Sequence, residues 1–149
     1  MISPGAAKTR QGGILGGLRG KKPAASAPRA LHDGAVARSR QAALYERMGA
    51  PDTVEGRFEV LTLHVILLID RLGRSDPAEA SARQELFDVY LADLDGALRE
   101  MGVGDLAVGK RMRKLGEAFY GRAASYEAAL AALPEVAPLE ALIARTVLD

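Results

Sequence analysis

The sequence predicts an all-α protein, a single compact bundle of about five helices with a flexible basic N-terminal tail. Three observations predict it. Apolar residues recur at three- and four-residue steps through most of residues 30–149, the period of one helix face. Gly, Pro and Asp cluster at 49–52, 73–77, 102–105 and 134–138, as helix stops and starts should. The first 29 residues, by contrast, are Gly, Ala, Ser, Pro and Lys/Arg, with too little apolar surface to offset the entropy of ordering. Residues 1–29 are therefore expected as tail and 30–149 as one helical domain.

Within that domain the first helix is expected over 31–48, with Ala37, Gln41, Leu44 and Met48 on one face. Gly49 ends it and Pro51 prevents its continuation. The second, 52–72, opens at Asp52 with Glu55 three residues on, a capping-box pattern. Val54, Phe58, Leu61, Val65, Leu68 and Leu72 form its stripe, and Val60, Leu63, Ile66, Leu67 and Ile69 make the other faces apolar as well. A helix apolar nearly all round belongs in the middle of a bundle. Arg57, His64 and Arg71, seven apart, share a separate polar line on it. His64 there is either a hydrogen-bonded boundary histidine or a proton carrier or ligand, and no second ligand accompanies it.

After a short loop at 73–76, Asp76-Pro77-Ala78-Glu79 writes a third start, with Pro at the first helical position. This helix is expected to reach about residue 101, with Phe87, Tyr90, Leu94, Leu98 and Met101 inward and an acidic outer side of Glu85, Asp88, Asp93 and Asp95. Asp93 and Asp95 resemble a metal-binding D-x-D pair, but positions two apart on a helix do not face each other, so solvated acids are expected. Asp95 and Arg99 are spaced for an ion pair.

A turn at 101–104 follows, with Gly102 and Gly104 suited to positive φ and Asp105 to an N-cap. The fourth helix, 105–133, carries the stripe Val108, Met112, Leu115, Phe119, Ala123, Tyr126, Leu130 and Leu133. Gly109 and Gly116 lie seven apart beside it, each costing about 1 kcal/mol relative to Ala. That cost is intelligible where another helix approaches closely. Lys110, Arg111, Arg113 and Lys114 stand near the helix start, where the macrodipole disfavours cations by about 0.3–1 kcal/mol within the first turn. They are either paired with Asp93, Asp95 or Glu100 of the preceding helix, or a docking surface joined by Arg122. A short last helix is expected over 139–147.

The composition narrows the chemistry. The net charge of +1 conceals an asymmetry: residues 1–40 hold eight Lys/Arg and one acid, so the body is acidic and the arm basic. The absence of cysteine excludes disulfides, thiolate metal sites and thiol nucleophiles. Two histidines, His32 and His64, are few for a zinc site. No apolar run reaches the roughly 18 residues of a membrane span, and no signal core stands at the N-terminus. No P-loop, nucleotide-binding glycine motif or Ser-His-Asp arrangement is present. Neither catalytic residues nor a cofactor or metal is expected, and no small-molecule substrate.

Two segments carry a resemblance. L-Y-E-R-M-G-A-P-D-T-V-E-G-R-F-E-V-L-T-L-H runs over 44–64, and L-R-E-M-G-V-G-D-L-A-V-G-K-R-M-R-K-L-G-E-A-F-Y-G-R over 98–122. Together they resemble the ubiquinol–cytochrome c chaperone family, whose P-D-T-x-x-G-R-F, following histidine and R-E-M-G-V-G-D-x-x-V-G-K motifs are recognisable here. The match covers about residues 31–133. The resemblance implies an all-helical, non-enzymatic assembly chaperone that binds cytochrome b, or an early intermediate, during assembly of the respiratory ubiquinol–cytochrome c reductase. It implies a small co-chaperone as a further partner. The partner-binding residues it and the patch suggest are Arg57, His64, Asp105, Gly109, Lys110, Arg111, Arg113, Lys114 and Gly116. The expected location is cytoplasmic, peripheral to the anionic inner-membrane surface of a bacterium, with a mitochondrial location as the alternative. The rival function is a nucleic-acid- or ribosome-binding module using the basic tail and the cationic patch.

Overall fold

The computed structural model describes residues 26–76 and 79–149. The described residues form six α-helices and no strand: α1 (Ala27–Ser39), α2 (Ala42–Glu46), α3 (Val54–Ser75), α4 (Ala80–Glu100), α5 (Asp105–Ala131) and α6 (Ala137–Val147). The basic tail expected over 1–29 falls mostly on residues outside this set, as does the expected first-turn Pro77. Helix α1 begins at Ala27, inside the stretch expected as tail, because Ser26 caps it by accepting from the Arg29 amide and Pro28 occupies the first turn.

The single helix expected over 31–48 is broken. Gln41 is extended, and α2 restarts the helix for five residues. The Tyr45 hydroxyl then donates to the freed Ser39 carbonyl at 2.6 Å, satisfying a helix end that would otherwise be orphaned. The expected face is also corrected: Ala37, Gln41 and Met48 are exposed, whereas Pro28, His32, Ala35 and Ser39 are buried.

Helix α3 is the central element, packing against α1, α4, α5 and α6. Its cap is Thr53 rather than Asp52: the Thr53 Oγ1 accepts from the Gly56 amide at 3.0 Å. Asp52 instead accepts from Arg57 Nε at 2.6 Å. The helix also runs to Ser75, through the loop expected at 73–76. Ala35, Val65, Ile66, Tyr90, Phe119, Tyr126, Ala129 and Leu142 form the main core, and Ala50, Val60 and Val147 a second cluster. Phe119 is its aromatic hinge, with ring centroids 4.8 Å from Phe87 and 5.3 Å from Tyr90.

Buried hydroxyls are paired across helices. Thr62 bonds Tyr90 at 2.8 Å; Tyr126 donates to Thr146, which itself donates to the Leu142 carbonyl. Burial pushes the Tyr90 phenol up to about 12, so it stays a neutral hydrogen-bonding group.

The turn between α4 and α5 is sharper than expected. Gly102 alone takes positive φ, at 83°; Gly104 has φ −67° and is the N-cap, leaving Asp105 as the first helical residue. Asp105 favours the positive end of α5 from there and is bonded by Arg99, which also holds Asp95 at 2.7 Å as spaced.

Candidate functional site

A groove of about 920 Å³ opens where the C-terminal end of α1, α2, the start of α3, the C-terminal half of α4 and the start of α5 meet. Phe58, Leu61, Leu94, Leu98 and Leu115 line it and are only half buried. They are the outer ends of the same stripes whose middles fill the core. Beyond residue 101 the chain turns away, so the stripes of α3 and α4 outrun their cover. Val54 and Met101 continue them into the open at 58% and 57% exposure.

The polar residues on this groove are arranged by separate local causes. Arg57 is tied to Asp52 and lies over the Tyr45 ring, 5.2 Å from its centroid. The hydrogen bond to Asp52 raises the Arg57 pKa further, so the cation is permanent. Burial pushes the Tyr45 phenol up, with Arg57 opposing it. The Glu59 carboxylate accepts from Arg122 Nη2 at 2.9 Å and from its Nε at 3.1 Å, tying α3 to α5. Arg122 is thereby removed from the cationic surface it was expected to join.

Asp93 does not stand as a solvated acid. It is half buried, 3.2 Å from Arg29 of α1 and 3.3 Å from the Nδ1 of His32. The His32 ring is wholly buried, and neither nitrogen has an aligned hydrogen-bond partner. Burial lowers its pKa most; Asp93 raises it in opposition.

Of the residues singled out from sequence, Arg57, Arg111 and Lys114 line the groove; His64, Asp105, Gly109, Lys110, Arg113 and Gly116 do not. His64 Nδ1 bonds the Val60 carbonyl at 2.7 Å, one turn back on its own helix. Among the described residues a methyl added at Gly109 or Gly116 would meet nothing within 4 Å, so no described helix approaches them closely. Of the two readings of the α5 cations, pairing with Asp93, Asp95 or Glu100 does not occur among the described residues. Among the described residues Lys110, Arg111, Arg113 and Lys114 are all exposed and in no ion pair.

The groove residues missed from sequence were Tyr45, Phe58, Leu98 and Met101 as a surface. The available signal was that both flanking helices keep their apolar period up to the turn, beyond the reach of a single core. Chemically, the arrangement offers apolar contact area and fixed charge. No group of three or more His, Cys, Asp or Glu able to hold a metal occurs among the described residues.

Comparison with known proteins agrees with this architecture. The family model described as ubiquinol-cytochrome C chaperone matches residues 46–149. The crystal structure of the Cbp3 homolog from Brucella abortus is similar at a TM-score of 0.68 and 40% identity, covering 78% of this chain. This chain in turn spans 64% of that one. No protein of curated function matches. With the family match running from α2 to the last residue, through both motif-bearing helix starts, the chain belongs to the ubiquinol-cytochrome c chaperone family.

Proposed function

We propose that this chain is a non-enzymatic assembly chaperone that holds an apolar segment of cytochrome b, or of an early assembly intermediate, in the groove between α3, α4 and α5. The observation that carries the proposal is the half-buried apolar lining with Val54 and Met101 exposed at its margin, in a chain of this family. Arg111 and Lys114, in no ion pair among the described residues, stand beside that lining to meet an acidic or carbonyl-rich flank of the client. A groove of this kind shields apolar surface until the client's own partners replace it. A small co-chaperone is a further partner on the same reading. On the same reading the chaperone meets its client as a peripheral protein at the inner-membrane surface; no helix among the described residues is long and apolar enough to cross a membrane.

The test is co-purification from solubilised membranes with a tagged chain, alongside the variant Met101→Asp/Lys114→Glu. Cytochrome b should come down with the parent and be depleted with the variant at unchanged fold stability. Normal levels of haem-loaded cytochrome b in a strain lacking the gene would refute the proposal.

A further inference from the structure

The four cations of α5 spread round one broad side of the helix, with Lys110 and Lys114, four apart, as neighbours. Arg111 and Lys114 line the groove. Lys110 and Arg113 do not; they follow Leu106 at steps of four and three, and Tyr120 continues the line seven residues on. Leu106 is 100% exposed and Tyr120 is 64% exposed. The inward residues Val108, Phe119 and Tyr126 lie on the opposite side of the helix.

Tyr120 packs against the Phe87 ring of α4, 5.5 Å between centroids, but no contact among the described residues accounts for Leu106, Lys110 or Arg113. Lys110 and Arg113 have no ion pair among the described residues, and neither do their neighbours Arg111 and Lys114. Glu117 is the acid on this line, and it pairs with neither. Leu106 contributes no burial at all, in a position where any polar helix former would serve. An isolated leucine ahead of two cations, on a helix end protruding past a turn, suits an apolar–anionic boundary.

We infer that the Leu106–Lys110–Arg113 face of α5 seats the protein on an anionic phospholipid surface, with Leu106 entering the headgroup–acyl boundary and the cations meeting phosphates. This deepens the peripheral placement proposed above without depending on the client. A nucleic acid would use the cations but give Leu106 no role.

The test uses the full chain and vesicles with no client present. Sedimentation with phosphatidylglycerol-containing vesicles should show binding that pure phosphatidylcholine vesicles do not support. Each cation near a charged bilayer contributes about fivefold to partitioning, so Lys110→Glu/Arg113→Glu should weaken it by at least about 25-fold. The chain has no tryptophan, so Leu106→Trp provides a single reporter at a site with no packing to disturb. Its emission should shift to the blue with anionic vesicles only. Binding by the charge-reversed variant within about twofold of the parent would overturn the inference, as would an unshifted Leu106→Trp emission. Vesicle binding carried by other residues would then preserve peripheral placement while removing this face from it. Failure of the parent chain to capture cytochrome b, with vesicle binding intact, would instead strike the groove proposal alone.

Discussion

Replacing Gly56 by alanine should destabilise the protein, against the ordinary rule that Gly→Ala strengthens a helix. Gly56 is the third residue of α3, and its amide is the donor that Thr53 Oγ1 caps. A methyl built there would overlap the Pro51 carbonyl oxygen, lie 2.9 Å from the Pro51 carbonyl carbon and 3.1 Å from its Cβ. Carbon contacts are comfortable at about 3.5–4.0 Å, so the 47–53 connection must move by more than half an ångström. The obstacle is backbone, which no rotamer change relieves. Overpacking of this kind costs about 1–3 kcal/mol, and disturbing the Thr53 cap adds about 1 kcal/mol. The propensity gain, at most about 1 kcal/mol for a helix interior, is smaller at the third position. The net expectation is a loss of about 2–3 kcal/mol, or roughly 4–12 °C in melting temperature for a chain of this size. Urea unfolding followed by far-ultraviolet circular dichroism should show the midpoint lowered by about 1 M with an unchanged slope. A Gly56→Ala protein as stable as the parent would refute the steric argument. The glycine of the P-D-T-x-x-G-R-F motif would then need another explanation.

Further outcomes follow from the same geometry. Gly109→Ala and Gly116→Ala, with open space around each, should each stabilise by up to about 1 kcal/mol in the same urea assay. Phe119→Ala should cost about 3–5 kcal/mol, since the ring is 97% buried among Phe87, Tyr90 and the core aliphatics. Because burial holds the folded His32 pKa below its ordinary value, the unfolded chain binds the extra proton. Stability should therefore be full above about pH 6.5 and fall as pH drops from there toward the folded pKa, and a midpoint-versus-pH series should flatten in His32→Asn. A flat series in the parent would show His32 to be more open than its position implies.

The candidate site was legible in part. Arg57, Arg111 and Lys114 could be singled out because unfavourable or unusual charge placement is visible along a single helix. That they share a groove was not, since it depends on how α3, α4 and α5 cross. Asp93 illustrates the limit. Its helical position marks it as outer-side acid, and only the passage of α1 over α4 brings Arg29 and His32 against it. The inward face of α1 was misassigned for a related reason: it is built from Pro28, His32, Ala35 and Ser39, whose types carry little apolar signal.

The sequence by itself determined the fold class, the central place of α3, the turn at Gly102 and membership in the family. Those features are written within one or two helical turns, as apolar period, caps, glycines and contiguous motifs. Only the tertiary structure decided that the first helix breaks at Gln41, that Arg122 belongs to Glu59, and that Arg111 and Lys114 line the groove while Lys110 and Arg113 do not. Each of those depends on partners many residues away or on the angle at which two helices meet, and side-chain period along one helix does not encode either.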